Sequence, residues 1–402
     1  MTTWIIEPRD PLIVRDGRPF GPDPGARATS LPFPFPSTTT GGVRTRAGLK
    51  EGIFETTLID QVKEIAVRGP LLVELSDKGE IEHWFAPAPA DALIFGPSSD
   101  DEAVEGNEAK RPLECKPLVP LEFAEKPLTN LPEPLLPVGL PKSDPRKPAK
   151  APPRFWFWAS FEQWLLDPFE VKPLTATDLG HNGPRPESRM HVRIDRATQT
   201  SEEGRLFQTS GLEFIHSHPS PSFGARLGLA LSVNTQAAAG VADLAQTIAP
   251  LGGERRLVHW RESSQALPAC PDEVKARIVK DRACRVVLLI PAHFEQGYRP
   301  TWLLEPRCGV TPTLAAAAVP RPQVVSGWDF ALDKPKPSRR LAPGGSVYFL
   351  KLNQDAGPAA VEQWVDTLWM HSISDDEQDQ KDGFGLAVLG CWSGQAYVWE
   401  AA

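Results

Sequence analysis

The 402-residue sequence lacks the patterns that are typical of proteins stabilised by structural zinc or disulfides, of membrane-spanning proteins and of strongly basic proteins. Its five cysteines are scattered and never spaced as CxxC, which argues against a zinc ribbon or a disulfide framework and favours a reducing cytoplasm. No apolar run approaches the roughly 18 residues that span a bilayer, so we expect no membrane association. Lys and Arg number 43 against 51 Asp and Glu, a net charge of −8. Bulk attraction to nucleic acid is thereby excluded, and any such contact must come from a local patch.

Motifs for catalysis and cofactor binding are equally scarce. There is no Walker loop, no GxGxxG follows a predicted strand, and none of the eight histidines adjoins a serine or cysteine in a nucleophile motif. His216 and His218 form an HxH pair, but no acidic or histidine partner stands nearby at metal-ligand spacing. We therefore predict no catalytic residue, no metal, no cofactor and no small-molecule substrate.

Proline and glycine are abundant instead, with 43 and 31 residues, which points to many loops and interrupted elements. Two segments, 242–260 and 358–392, are each predicted to form a helix, a glycine-rich turn and a short apolar strand, and each follows a strand. Because this order of strand, helix, glycine-rich turn and strand occurs twice in the sequence, we predict two copies of a small α+β domain. Glycine-rich turns of this kind hold ligands, phosphates above all, with main-chain N–H groups.

The N-terminal region predicts the order β-α-β-β, with its helix starting at Ser37 as N-cap. Gly41 and Gly42 within that helix cost about 1 kcal/mol each against alanine, so we expect another backbone or an RNA to approach them closely.

Two insertions interrupt the first domain. Acidic and then proline-rich sequence over about 97–153 predicts an extended, partly polyproline-like segment that orders on assembly. Alternating apolar and basic residues over about 186–214 predict a protruding β-hairpin. We therefore predict a domain over 1–262 that carries both insertions, and a second over 263–402 with a glycine-rich loop.

Basic residues cluster beside the glycine turns and on the hairpin, and this recurrence favours contact with an RNA backbone. The clusters are Arg44 and Arg46 after the helical glycines, Arg193 and Arg196 on the hairpin, and Arg255 and Arg256 after Gly252 and Gly253. The turn Gly383-Phe384-Gly385 is a further candidate, although the acidic run from Asp375 to Asp382 and a helix C-terminus are poor electrostatics for a phosphate.

Seven motifs occur in an order that resembles one known family. They are PRDPLIVRDGRPFG, PFPSTTTGGVRTRAG, FAPAPADAL, RIDRATQTSEEGRLF, LGGERR, APGGSVYFL and the terminal GFGLAVLG. In this order the chain resembles the third subunit of the Cmr-type (type III-B) CRISPR effector complex, in the crRNA 5′-tag-binding branch of the RAMP superfamily. The resemblance covers nearly the whole chain.

The resemblance implies a fold and a role. The fold would be α+β, with two ferredoxin-like (RRM-like) RAMP domains, long insertions and a protruding β-hairpin. The role would be non-catalytic: to bind the repeat-derived 5′ tag of crRNA and to dock the large palm-domain subunit, beside a backbone RAMP subunit, in antiviral interference. The hairpin would kink the RNA at the boundary between tag and guide.

The same resemblance implies the RNA-binding residues. Charge-assisted bonds to phosphates would come from Arg15, Arg18, Arg44, Arg46, Arg193, Arg196, Arg255 and Arg256. Gly252 and Gly253 would add main-chain donors.

Two other functions stay open. A metal-independent crRNA-processing endoribonuclease of the same superfamily would need a general base near the scissile phosphate, and His191 and His259 lie near the basic clusters. An assembly scaffold would make little RNA contact and would depend on the proline-rich segment.

Overall fold

The computed structural model describes residues 1–15, 27–28, 30–96, 112–125, 129–170, 172–216, 225–329 and 334–399. Arg18, and the acidic stretch before residue 112, lie outside these ranges. No helix in the described ranges is both long and apolar enough to cross a membrane.

The helices are short and few. They are α1 (Pro36–Ala47), α2 (Ile59–Lys63), α3 (Trp158–Leu166), α4 (Ala176–Leu179), α5 (Asp272–Asp281), α6 (Thr301–Leu304), α7 (Pro358–Leu368) and α8 (Glu377–Asp382).

Strands make up most of the regular structure. In the first half they are β1 (Thr2–Pro8), β2 (Arg27–Ala28), β3 (Leu49–Lys50), β4 (Ile53–Phe54), β5 (Ala66–Leu75), β6 (Ile81–Pro87), β7 (Ala92–Phe95), β8 (Pro112–Pro117), β9 (Val119–Glu122), β10 (Val138–Gly139), β11 (Phe155–Phe157), β12 (Leu174–Thr175), β13 (Gly180–His181) and β14 (Arg185–Ile194). In the second half they are β15 (Ser201–Glu213), β16 (Ile215–His216), β17 (Ala225–Asn234), β18 (Thr247–Leu251), β19 (Arg256–Ser263), β20 (Ala283–Leu288), β21 (Pro312–Ala318), β22 (Gln323–Val325), β23 (Trp328–Asp329), β24 (Lys334–Pro335), β25 (Arg339–Leu341), β26 (Val347–Leu352), β27 (His371–Ser372), β28 (Leu386–Cys391) and β29 (Tyr397–Val398).

The chain forms two compact units, each built from separated stretches. The first unit comprises residues 1–82, 183–265 and 324–340, and the second comprises 83–182, 266–323 and 341–402. This division differs from the predicted boundary at 262/263, because residues 83–182, which include the proline-rich segment, fold with the C-terminal sequence.

The first unit contains an antiparallel sheet in the order β5-β17-β1-β19-β18. Helix α1 packs against β5 and β18. Ile6 and Trp260 are directly opposite each other on β1 and β19, and both are fully buried. Val43 of α1 is also fully buried. The predicted order β-α-β-β is present. The predicted N-cap is wrong: α1 starts at Pro36, so its N-cap is Phe35 and Ser37 lies inside the helix.

The helix predicted for the start of segment 242–260 is wrong. Residues 247–251 form strand β18, which pairs antiparallel with β19 and is connected to it by the glycine turn. Pro250 cannot donate an interior helical hydrogen bond, and the β-branched Thr247 and Ile248 suit an edge strand better than a helix. The similarity between the two sequence segments therefore does not extend to their structures.

The matching prediction for segment 358–392 is confirmed in the second unit. Helix α7 precedes the Gly383 turn, and β28 follows it. The sheet here has the order β21-β26-β20-β28-β27, and its pairings are antiparallel. Helices α5 and α7 pack against each other and against β28.

A buried ion pair lies in the core of the second unit. Arg285 Nη1 donates to Asp91 Oδ2 at 2.5 Å, and the two side chains are 2 % and 1 % exposed. Arg285 also donates to the carbonyl oxygens of Cys391 and Trp164, and Trp164 Nε1 donates to Asp91 Oδ1. Several polar partners thus compensate the burial of both charges. Removing either side chain would leave the other as an uncompensated buried ion.

The described part of the proline-rich segment is folded, contrary to the prediction of an extended insertion that orders on assembly. Strand β8 pairs with β7 and β12, and β9 pairs with β10 and β29. Arg146 and Lys116 lie over the Phe95 ring at 4.7 and 5.6 Å, and both bind Asp144. Prolines are tolerated in these strands because the strands are short and lose few ladder hydrogen bonds.

Candidate nucleic-acid interface

Residues 11–15, which follow β1, connect several of the predicted sites in the first unit. Leu12 and Leu212 exchange two backbone hydrogen bonds of 2.8 Å at the base of the hairpin. Ile13 O accepts a hydrogen bond of 2.7 Å from Gly253 N in the glycine turn. Arg15, at the end of this segment, is exposed. One backbone segment therefore holds Arg15, the hairpin base and the glycine turn.

The predicted hairpin is present as β14 and β15, connected by a turn over residues 195–200. Neighbours directly opposite on the two strands share a face, and successive residues alternate between faces. One face is apolar and open to solvent, which the alternation of apolar and basic residues alone does not reveal. Its members are Met190, Val192, Ile194 and Leu206, exposed by 42 to 60 %.

The other face of the hairpin is polar and aromatic. His191 stacks on Phe207 with ring centroids 5.3 Å apart, and its Nε2 is 2.9 Å from Thr209 Oγ1. Arg193 is paired with Glu202 at 3.0 Å. Arg196, in the turn, is exposed and makes no side-chain ion pair with the described residues. The hairpin cations are thus mostly neutralised locally, with Arg196 the exception among the predicted pair.

The glycine turn between β18 and β19 has a strained backbone that exposes Arg255. Gly252 has φ +72°, and a Cβ there would lie 2.5 Å from Ile13 O. Glu254 and Arg255 both have left-handed φ values, 54° and 52°, which cost roughly 1–2 kcal/mol each for residues with side chains. Consecutive strained residues held by surrounding contacts are frequent at ligand sites.

The members of this turn have different roles. Gly253 does not offer its amide to a ligand as predicted, because that N–H is bound to Ile13 O. Arg256 donates to Glu254 at 2.8 Å and is 19 % exposed. Arg255 is exposed and has no side-chain partner among the described residues. The turn therefore presents one available guanidinium rather than two.

Arg44 and Arg46 of α1 are engaged within the first unit. Arg44 Nη2 donates to the carbonyl oxygens of Lys63 and Ile65 at 3.1 and 3.0 Å, and so caps the end of α2. Arg46 donates to Ala245 O and lies 4.6 Å from the centroid of the Trp260 ring. Burial lowers the pKa of Arg46. Both guanidinium groups therefore stabilise the packing of α1, and few of their N–H donors are available to bind a phosphate.

The two helical glycines also differ. A Cβ on Gly42 would lie 2.6 Å from Leu251 Cδ1 and 3.3 Å from Trp260 Cζ2, whereas one on Gly41 would meet nothing within 4 Å. Gly42 and Arg46 are one helical turn apart and both contact Trp260. The neighbours at Gly42 are therefore an indole and a leucine side chain, and not another backbone as predicted, while Gly41 has no close neighbour among the described residues.

The turn Gly383-Phe384-Gly385 is committed to the core of the second unit. Its three amides donate to Gln380 O, Asp379 O and Pro291 O, and Phe384 is fully buried. The acidic run ahead of it forms α8, where Asp376 is the N-cap and Asp379 contacts His293 at 3.0 Å. These contacts account for Asp376 and Asp379, and the three backbone hydrogen bonds leave no amide of the triplet for RNA.

No cluster of metal-ligating side chains occurs among the described residues, and His218 lies outside them. The two candidate histidines lie in different environments. His191 is held by Thr209 and Phe207. His259 is half-buried in β19, opposite Glu7 of β1 and Ile248 of β18.

A family model for "CRISPR-associated protein (Cas_Cmr3)" matches residues 4–392. The chain belongs to this family. The Cmr-type CRISPR subunit predicted from the ordered motifs is thereby confirmed, and the Cas_Cmr3 family assignment extends over both compact units. A search of curated proteins finds no match to the chain.

Several solved structures are similar to this Cas_Cmr3 family member. Two are cryo-EM structures of the type III-B Cmr-beta complex bound to cognate target RNA. The one with AMPPnP in state 1 shows 13 % identity and a TM-score of 0.43, the other 14 % and 0.45, each over 86 % of both chains. A crystal structure of the Csm3-Csm4 subcomplex of the type III-A interference complex shows 8 % identity and a TM-score of 0.33, over 87 % of this chain and 94 % of that chain.

Proposed function

We propose that this Cas_Cmr3 family member is a non-catalytic subunit of a type III-B CRISPR effector that binds the repeat-derived 5′ tag of crRNA through its first unit. The observation that carries the proposal is the segment 11–15, which holds Arg15, the hairpin base and the Arg255 turn together. Contacts to phosphates determine where along the RNA the protein binds only when the contacting residues are held at fixed distances from one another. Tag binding therefore needs a segment that holds these residues together.

Within this proposal the two hairpin faces have separate tasks. Arg196 at the tip and Arg255 in the glycine turn contact phosphates by charge-assisted hydrogen bonds. The apolar face of Met190, Val192, Ile194 and Leu206 packs against an unstacked base at the boundary between tag and guide, since single-stranded RNA can be splayed open there. Arg44, Arg46 and the Gly383 turn take no part.

The strand arrangement supports ferredoxin-like sheets for both units, as the family resemblance implies. In chain order, β1, β5, β17 and β19 of the first unit are arranged 4-1-3-2, and so are β20, β21, β26 and β28 of the second. That is the order expected of a β-α-β-β-α-β unit. Within the described ranges, the first unit has helices only in the first crossover, and the second unit has its long helix only in the last. Docking of the large palm-domain subunit and of a backbone RAMP subunit belongs to the same proposal.

The test is binding of a short RNA with the 5′ tag, compared with the same RNA with a scrambled tag, over a salt series. We expect the full-length protein to prefer the tag. Arg255→Ala and Arg196→Ala should each weaken binding and reduce the salt slope by about 0.7, the value for one phosphate contact on a single strand. Arg321→Ala, which removes an exposed arginine of the second unit, is the matched control and should change neither.

Other outcomes would replace the proposal. Equal and weak binding of both RNAs, unaffected by the variants, would favour an assembly scaffold. Cleavage of a repeat RNA by the isolated protein, lost in His191→Ala or His259→Ala, would identify an endoribonuclease.

A further inference from the structure

A row of aromatic side chains lines the edge strand β29 in the second unit. Tyr397 lies against Phe169 with ring centroids 5.4 Å apart, and Trp399 against Phe123 at 5.7 Å. We call these four residues the aromatic edge. Phe169 and Trp399 are 50 % and 40 % exposed, and Val398, which points to the opposite side of the strand, is 63 % exposed. Exposed apolar side chains grouped in this way mark an interaction surface more often than singly scattered ones do.

The outer side of the main chain at this edge has no backbone partner among the described residues. Strand β29 is the outer member of the sheet β10-β9-β29 and pairs in parallel with β9. Trp399 N donates to Glu122 O at 2.9 Å. Because N–H groups of successive strand residues point to opposite sides, the N–H and C=O of Val398 point away from β9. Open edges of this kind accept an added strand from another chain.

The charge around the aromatic edge is negative. Glu122 and Glu125 flank Phe123, and Asp167 and Glu170 flank Phe169. The pKa of Tyr397 is raised by burial and by the nearby Asp167. Asp167 is paired with Arg277 at 3.6 Å, and Lys172 is the one cation in the described parts of 119–125, 166–172 and 395–399. Glu122, Glu125 and Glu170 are exposed and make no ion pair with the described residues. An acidic rim repels RNA phosphates and attracts Lys and Arg, whose cations also bind aromatic faces.

We propose that the aromatic edge is a docking site for an extended basic segment of a partner protein, which adds a strand to β29. The partner's main chain bonds to Val398, and its alternate Lys or Arg side chains lie over Tyr397 and Trp399, within reach of the acidic rim. A strand projects alternate side chains to one face, so a segment with a basic residue at every second position fits both features. The inference does not depend on tag binding, which is assigned to the first unit.

The test uses the full-length protein and a blocked peptide of alternating Arg and Val, titrated by calorimetry. We expect binding that a Glu-Val peptide of the same length does not show. Trp399→Ala should weaken it at least tenfold by removing a ring. Val398→Pro should weaken it as well, because proline removes the outward N–H and leaves the bond from Trp399 to Glu122 in place. Tyr298→Ala, which truncates an equally exposed aromatic residue of the same unit at 40 %, should have no effect.

Three results would overturn the proposal: no binding of the Arg-Val peptide, equal binding of the Glu-Val peptide, or unchanged binding in both edge variants. Binding of an oligouridylate RNA that is lost in Trp399→Ala would identify the edge as a base-stacking platform instead. Preference for tag RNA should be unchanged in Trp399→Ala, so failure here is distinguishable from failure of the tag-binding proposal.

Discussion

At the scale of single residues, the arginines predicted to bind RNA have different environments. Arg44 and Arg46 serve the packing of α1, and Arg193 and Arg256 are paired with glutamates. An arginine already bound to carbonyl oxygens gains little from a phosphate, since it must give up those bonds first. Exposure and pairing therefore separate side chains that look equivalent in sequence.

The glycines of α1 give a residue-scale prediction. Gly41→Ala should stabilise the protein by up to about 1 kcal/mol, because alanine favours the helix and its Cβ meets nothing within 4 Å. Gly42→Ala should destabilise it by roughly 1 kcal/mol, since overpacking against Trp260 and Leu251 outweighs the same gain. Urea unfolding followed by circular dichroism measures both. Equal stabilisation by the two variants would show that the contact with Trp260 does not limit this position.

At the scale of elements, local sequence predicted the hairpin and α7 correctly, because each has a clear hydrophobic period. It predicted a helix where β18 lies, since Ala242–Ala249 has a helical composition. Long-range pairing outweighs this local helical preference, because β18 forms the edge of a sheet whose other strands are distant in sequence. The proline-rich segment is a second case, where packing on Phe95 orders residues whose composition suggests disorder.

That segment also has a predicted dependence on pH. Hydrogen bonds from Arg146 and Lys116 hold the pKa of Asp144 well below its usual range. A carboxylate with a depressed folded pKa stabilises the fold above its unfolded pKa, near 4, and the stabilisation is lost as pH falls through the folded value. We expect residues 112–147 to lose protection from hydrogen exchange under acid, below about pH 4.

Asp144→Asn supplies the comparison for this prediction. It should lower protection at neutral pH and remove most of the further loss under acid. Glu377→Gln, which breaks an exposed pair with Lys381 of 2.9 Å, should leave the profile of residues 112–147 unchanged. Acid loosening of the same size in Asp144→Asn would assign the effect to other carboxylates.

At the scale of the whole molecule, a net charge of −8 limits RNA affinity to local contacts. Of the predicted arginines in the described residues, Arg196 and Arg255 are exposed and have no side-chain partner, so under the tag-binding proposal the isolated chain should bind the tag weakly and gain affinity from its neighbours in an effector. The second unit offers a surface of opposite character, aromatic and acidic. Each unit thus suits a different kind of partner.

The reactivity of the five cysteine thiols gives a measurement of how the chain unfolds. Burial raises the pKa of Cys115 and Cys391 to about 11, that of Cys270 to about 12, and that of Cys284 further. Thiolates are the reactive form, so alkylation of the native protein should begin at the half-exposed Cys308. Cys284 and Cys391 lie directly opposite on β20 and β28, and should become reactive together when that sheet opens in denaturant. Mass spectrometry of labelled peptides gives the order, and native labelling of Cys284 ahead of Cys308 would contradict it.

The sequence by itself determined the family, the α+β composition, the hairpin and the C-terminal helix–turn–strand unit, because these depend on ordered motifs and on local hydrophobic period. The tertiary structure decided which arginines are available, why Gly42 is needed, and that Gly383–Gly385 belongs to the core. It also brought Phe123, Phe169 and Trp399 together from distant positions. The physical reason is the same in each case: burial and hydrogen-bond partners are set by residues far apart in the chain, which no local pattern records.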